Sequence, residues 1–305
     1  MSFNINLNFL FMRKHYYALC FILVTIKLIG QEQAADTTLG WKFPTVLNIS
    51  LSQSSFSDWS AGGENSYSIN GLLISNANYK SSNSLWENNL IMAYGLMKQG
   101  ERELRKTDDN LEISSTYGYK AHNDWYYSSL VQFKTQFSNG YKYDDAAGTK
   151  TKLSAFMGPA YFNVSLGMNY APSKVFSLFI GPISGRTTFV MDTMLSNSGA
   201  YGVEPGSKIR NEFGGTMRAI LSKEIMKNVN LGSKLELFSN YMDNPLNIDV
   251  DWQMLINMKV NKWLSASINL HLIYDDDIKT TKDNIERGPA VQFKEVFGIG
   301  LSLKL

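Results

Sequence analysis

Residues 247–260 read NIDVDWQMLINMKV. The even positions, Ile248, Val250, Trp252, Met254, Ile256, Met258 and Val260, are apolar, and between them fall Asp249, Asp251, Gln253, Asn257 and Lys259. Alternation with a period of two describes a β-strand with one apolar and one polar face. The same period runs through Ser66–Lys80, where Tyr67, Ile69, Leu73, Ala77 and Tyr79 share a face. It runs again through Trp125–Phe137, where Gln132, Lys134 and Gln136 share one. Several such stretches hold phase for about 12 residues, whereas soluble strands average about 5–6 and tilted membrane strands need about 9–11.

The connections alternate in length. Short turns fall at Ser81–Ser84, Ala121–Asp124, Ala171–Lys174, Lys227–Asn228 and Asn261–Lys262. Longer polar connections fall near Phe56–Asn65, Gln99–Asp109, Asn139–Lys150, Ser196–Ser207, Asp243–Leu246 and Asp276–Pro289. Short turns at one end and long loops at the other fit an all-β, transmembrane antiparallel barrel of roughly twelve strands. Strand starts are expected near Thr45, Ser66, Leu85, Asn110, Trp125, Lys152, Val175, Lys208, Val229, Asn247, Trp263 and Val291. Tyr79, Trp86, Tyr119, Trp125, Tyr127, Tyr170 and Trp263 gather beside the short turns, where an interfacial girdle belongs. The final residues, FGIGLSLKL, form an amphipathic strand like the C-terminal insertion signal of outer-membrane barrels. Bulges are expected at Pro159 and Pro182, because proline cannot donate to a ladder. Glu295 falls on the lipid face by strict alternation, which calls for a bulge or a position above the hydrocarbon.

Residues 1–30 read as a signal peptide, with a basic Arg13–His15 and an apolar Tyr16–Gly30. Residues 31–44 are a short N-terminal segment, and 45–305 the barrel. Removing Arg13, Lys14 and Lys27 takes three of the 29 bases away and leaves 26 against 27 acids. So neutral a chain lacks the basic footprint of a nucleic-acid binder. Cys20, the single cysteine, lies in the leader, which excludes a disulfide scaffold and a cysteine metal site.

Four segments, Trp59–Asn65 (WSAGGEN), Thr107–Asp109 (TDD), Thr135–Phe137 (TQF) with Gly140–Tyr141, and Tyr274–Asp277 (YDDD), resemble an uncharacterised family of Bacteroidetes outer-membrane barrels, a domain of unknown function. The resemblance implies a barrel in the outer membrane and brings no activity and no site residues.

The inward-facing set carries both signs of charge: Glu87, Glu112, Lys134, Arg210, Glu212, Arg218, Lys234, Glu236, Asp249, Asp251, His271 and Asp275. These residues line either a selective pore or an interior of ion pairs; the mixed signs favour pairing, since an ion-selective pore shows one dominant sign. A hairpin centred on Lys227 sets Arg218 opposite Glu236. His271 faces Gln253 or Asp251, and Ser265 and Ser267 on its own strand lie too far away for a nucleophile–base bond. Gly62 and Gly63 permit a tight turn that folds Trp59 back as a cap on the mouth. Asp275–Asp277 follows no calcium-loop pattern, so no metal and no cofactor is expected.

The expected surroundings are outer-membrane lipid and, during biogenesis, the barrel assembly machinery. The leading functional reading is a narrow channel or small-solute transporter. The second is a non-conducting structural partner of another outer-membrane protein. The third is a barrel-wall lipid hydrolase centred on His271, weaker than the other two, so no enzymatic activity is expected.

Overall fold

The computed structural model describes residues 39–304 except 58, 59, 62, 283 and 284. The expected signal peptide lies outside the described residues. In chain order the strands are β1 (Gly40–Lys42), β2 (Thr45–Ser54), β3 (Ser66–Lys80), β4 (Ser84–Gln99), β5 (Arg105–His122), β6 (Trp125–Thr135), β7 (Gly140–Asp144), β8 (Thr149–Ser154), β9 (Ala160–Tyr170), β10 (Phe176–Phe189), β11 (Ile209–Met226), β12 (Val229–Asn240), β13 (Ile248–Lys259), β14 (Leu264–Tyr274), β15 (Lys279–Lys282), β16 (Ile285–Pro289) and β17 (Gln292–Lys304). One short helix, α1 (Thr193–Asn197), lies between β10 and β11.

Twelve of these strands close a ring in the order β2-β3-β4-β5-β6-β9-β10-β11-β12-β13-β14-β17, antiparallel throughout, with β17 returning to β2. β1 extends β2 beyond Pro44 along the same edge of β3. The pairs β7–β8 and β15–β16 are hairpins inside long loops. Short turns close one end, two of them at Asn123 and Asn228 with positive φ, a conformation asparagine tolerates. The fold is therefore a twelve-stranded transmembrane barrel of the outer-membrane type, with short turns at one end, long loops at the other and an apolar exterior.

The ladders assign each side chain to a face. Tyr67, Ile69, Leu73, Trp86, Ile113, Tyr117, Val131, Phe162, Leu166, Ile180, Phe297 and Leu301 point outward. At the short-turn end Trp41, Tyr79, Trp86 and Tyr117 pack ring to ring. Near the loops Tyr94 meets Phe137 and Phe213 meets Tyr241, forming a second aromatic belt.

Three expectations are corrected. The strand expected near Lys152 begins at Ala160. Residues 149–154 form half of the β7–β8 hairpin, and Pro159 precedes β9 instead of bulging within it. The sequence TKTKLS alternates, but its one apolar residue, Leu153, cannot supply a lipid face. The strand expected near Asn110 begins at Arg105, which shortens the preceding loop. No bulge occurs at Glu295: the β14–β17 ladder is unbroken from Gln292 to Leu301, and Glu295 faces outward beside Leu270. It sits about 20 Å above Leu303, near the upper margin of an apolar band ~25 Å tall. At Pro182 the register does shift, on both sides of β10.

Candidate functional site: an asymmetric lumen

The inward side chains of β5, β6, β9, β10, β11 and β12 form one continuous packed layer. Glu112, Ser114, Thr116, Leu130, Gln132, Asn163, Ser165, Phe179, Ser184, Glu212, Arg218, Glu236 and Phe238 are all buried, Glu112 completely so. Three of them, Leu130, Phe179 and Phe238, are apolar wedges in phase with charged neighbours, and alternation alone gives no sign of them. The Arg186 guanidinium lies 3.7 Å over the Phe238 ring, a contact that gains strength where water is excluded.

Contacts cross the ring as well as following it. Lys234 on β12 donates to Glu112 on β5, five strands away in the ring. Gln132 on β6 donates to Glu112 at 3.1 Å and to Glu236 on β12 at 2.8 Å. Lys134 on β6 donates to Glu236 and, at 2.8 Å, to Asp251 on β13. Arg218 on β11 reaches Thr116 on β5 at 2.5 Å and lies 3.9 Å from Glu236, its ladder partner. Arg186 holds Asp249 at 2.5 Å, and Lys294 on β17 holds Asp108 on β5 at 2.6 Å. A round barrel of twelve strands is roughly 24 Å across, farther than one lysine and one glutamate reach together. The walls of β5–β6 and β11–β13 are thus drawn toward each other, and a bridge of paired charges crosses the lumen.

On the remaining wall, Asn269 on β14, Ser50 and Ser52 on β2, Ser66, Ser68 and Asn70 on β3, and Gly298, Gly300 and Ser302 on β17 face inward. They are small, uncharged and partly or fully exposed. Asn48, on the same wall, is buried, and neither of its side-chain polar atoms has a hydrogen-bond partner among the described residues.

Loops roof the packed side. Asp192 caps α1, accepting from the backbone N–H of Met194 at 3.0 Å and Leu195 at 3.1 Å, and its other oxygen takes Lys152 Nζ at 2.9 Å. The Lys152 hydrogen bond, then the backbone bond from Leu195, hold this carboxyl below its ordinary range. Ala155, Val190, Leu195 and Val203 make a small core beneath the roof, joined by Ala200 and Tyr201. Arg210 ties the roof to the last long loop through Asp277 at 2.5 Å.

All the charged positions singled out in the sequence point inward from the wall except Asp275, which lies just past the end of β14. Burial, and secondly the charge of Asp249, raise its carboxyl to about 6. The ladder sets His271 opposite Gln253, and its Nε2 meets Asp251 Oδ1 at 3.0 Å. Ser267, four residues along the same strand, is ~13 Å away, so no serine–histidine pair forms there. Trp59 and Gly62 lie outside the described residues. Gly63 has φ 143 and sits where a Cβ would come within 2.8 Å of the Phe56 ring, while Phe56 N donates to Asn65 Oδ1 at 2.6 Å. That loop is pinned at its base.

Residues 51–141 match the model of a family described as Protein of unknown function (DUF3078). The match covers WSAGGEN, TDD and TQF with Gly140–Tyr141, and stops before YDDD. No curated protein matches the chain. Among solved structures, the chain is similar to the NanC porin, at 10% identity and a TM-score of 0.38, over 86% of this chain and 100% of that one. It is similar to an outer-membrane channel from Pseudomonas putida F1, at 11% identity and a TM-score of 0.39, over 90% and 100%. It is also similar to the translocator domain of the autotransporter NalP from Neisseria meningitidis, at 8% identity and a TM-score of 0.35, over 96% of each chain.

Proposed function

We propose that this protein is an outer-membrane channel for small polar solutes, with its passage confined to one side of the barrel. The carrying observation is the asymmetry of the lumen. Side chains fill the interior from β5 to β12, whereas the inward positions of β14, β17, β2 and β3 are largely serine, asparagine and glycine, most of them partly exposed, interrupted by Val46, Leu72, Ile74, His271, Lys294 and Val296. The small residues cannot fill their share of a twelve-stranded cross-section, so water occupies the space they leave. Most of the adjoining charges are already paired, so the passage favours neither sign strongly and suits uncharged or zwitterionic solutes. The ion-pair bridge supports the second reading, a non-conducting component that binds another membrane protein, because it removes much of the cross-section. His271 takes no catalytic role in either reading.

Planar-bilayer recording of the folded, detergent-purified protein tests the proposal. Small discrete conductance steps are expected, weakly selective for charge. Asn269→Trp, which places a large ring in the open half, is expected to reduce or abolish them. Silence from protein shown to be folded would overturn the channel reading in favour of the second.

A further inference from the structure

The ring closes unevenly. Neighbouring strands elsewhere share ladders of at least ten residue pairs, but β17 and β2 share five, from Lys304↔Val46 to Gly300↔Ser50. Both strands continue toward the loop end. Leu51–Ser54 remain paired to β3, and Gln292–Val296 and on to Ile299 remain paired to β14. Above Ser50 the two strands therefore run on without a ladder between them, over ~13 Å of β2. At the foot of the gap the backbones are tight: a Cβ on Gly300 would run into the Ile49 carbonyl oxygen, and one on Gly298 would lie 2.8 Å from Ser50 Cβ.

The gap has two chemically different faces. Outside it stand Leu51, Tyr67, Phe293 and Phe297, exposed by 67%, 53%, 61% and 60%. Inside it stand Ser52 and Ser54, also exposed. Behind it lies the open half of the lumen. Alternate backbone N–H and C=O groups of both strands face the gap, and a lipid-exposed sheet edge is not tolerated in hydrocarbon unless it lines a wet cavity or is occupied. Glu295, outward between Phe293 and Phe297 and without an ion pair among the described residues, adds a carboxylate to the outer lip.

We infer that this seam is a lateral portal that binds single-tailed amphiphiles, with the tail among Leu51, Phe293 and Phe297 and the polar head against the serine-lined interior. The inference rests on the channel reading, since the open half-lumen is what the head group enters. An apolar slot would bind only the tail, and a fully polar one would exclude it; the two-faced seam accepts both.

The test uses the full mature barrel in phosphatidylcholine vesicles. A bimane label on Ser52→Cys reports lysophosphatidylcholine carrying a brominated tail. Saturable quenching is expected, competed by unlabelled lysophosphatidylcholine and not by glycerol. The paired substitution Gln53→Cys and Phe297→Cys, at positions that continue the ladder register, is expected to close the seam on oxidation. With the disulfide formed first and the bimane then attached at Ser52→Cys, quenching is lost and returns on reduction, while ionic conductance is unchanged. Where the disulfide does not form, Leu51→Asn with Phe297→Asn, which removes the apolar lip, must abolish saturable quenching in protein that keeps its heat-modifiable gel shift. Absent or non-saturable quenching, or quenching indifferent to both changes, overturns the portal even if conductance is present. Absent conductance with saturable quenching overturns the channel reading alone. Competition by an extended peptide in place of the amphiphile would make the seam a strand-docking edge and also overturn the inference.

Discussion

Substituting Lys234 tests whether the packed half of the barrel is dry. Its ammonium is the cationic partner of Glu112, whose side chain is wholly removed from solvent. In Lys234→Met, Glu112 keeps only the amide donors of Gln132 at 3.1 Å and Gln253 at 3.5 Å. Breaking a buried pair from one side costs about 3–5 kcal/mol, because the remaining charge has lost its compensation without regaining water. With a guanidinium dependence of ~4 kcal/mol per molar, the unfolding midpoint falls by ~0.8–1.2 M. The measurement is equilibrium unfolding in detergent micelles, followed by tryptophan fluorescence and by heat-modifiable gel mobility. Glu112→Gln combined with Lys234→Met removes both charges and keeps a hydrogen-bonding amide, so most of the loss is recovered, since an apolar or neutral replacement of a whole buried pair is often neutral or better. A single substitution that moves the midpoint by less than ~0.2 M would mean that water reaches Glu112. The division of the lumen into a filled and an open side would then be wrong.

Other expectations concern the rim and the roof. Glu295→Leu removes a charge from the lipid face and raises stability by about 1 kcal/mol in bilayers; a neutral or destabilising result would show that the carboxylate has a partner in the membrane. Asp192→Ala removes the cap of α1 and the Lys152 contact, costs about 1 kcal/mol locally, and is expected to speed proteolysis within residues 140–154 while leaving the barrel intact. The depressed Asp192 carboxyl means that its contribution is present above the ordinary aspartate value and is lost as pH falls through its folded value. The same proteolysis assay in wild type should therefore quicken in acid. Asp275 has the opposite sign. Raised to about 6, it favours the fold fully below the ordinary value of 3.8 and ceases to as pH rises through about 6. Asp275→Asn should flatten the stability profile across that window, and melting curves at a series of pH values would show an unchanged slope if the carboxyl were freely hydrated.

Much of the wall was legible because alternation and turn position together set register. The turn at Lys227 placed Arg218 opposite Glu236, and the ladder pairs them. The inward phase of Glu112, Lys134, Lys234 and Asp251 follows from the same period. Which of them meet across the lumen did not follow, because facing walls are joined by no local pattern. Lys234 with Glu112 is a contact between strands five apart. Leu130, Phe179 and Phe238 were missed for a related reason: an apolar residue in a polar phase reads as noise until the opposite wall is known. The β7–β8 hairpin was misread because a solvent hairpin alternates as regularly as a membrane strand, and only the poverty of its apolar face separates the two.

The short β2–β17 ladder bears on how the chain is assembled. It joins the first strand of the ring to the last, so its hydrogen bonds close a loop of almost the whole barrel, the largest entropic step in forming the ring. The other ladders join strands adjacent in sequence or separated by one hairpin, and can zip locally. Nearly all of the sheet can thus form before closure, leaving a curved ribbon whose two free edges wait for each other. The bond set that decides between an open ribbon and a finished barrel is also the smallest in the wall. Synthesis must reach β17 before that decision can be made, and loss of β17 would leave a nearly complete sheet that never closes.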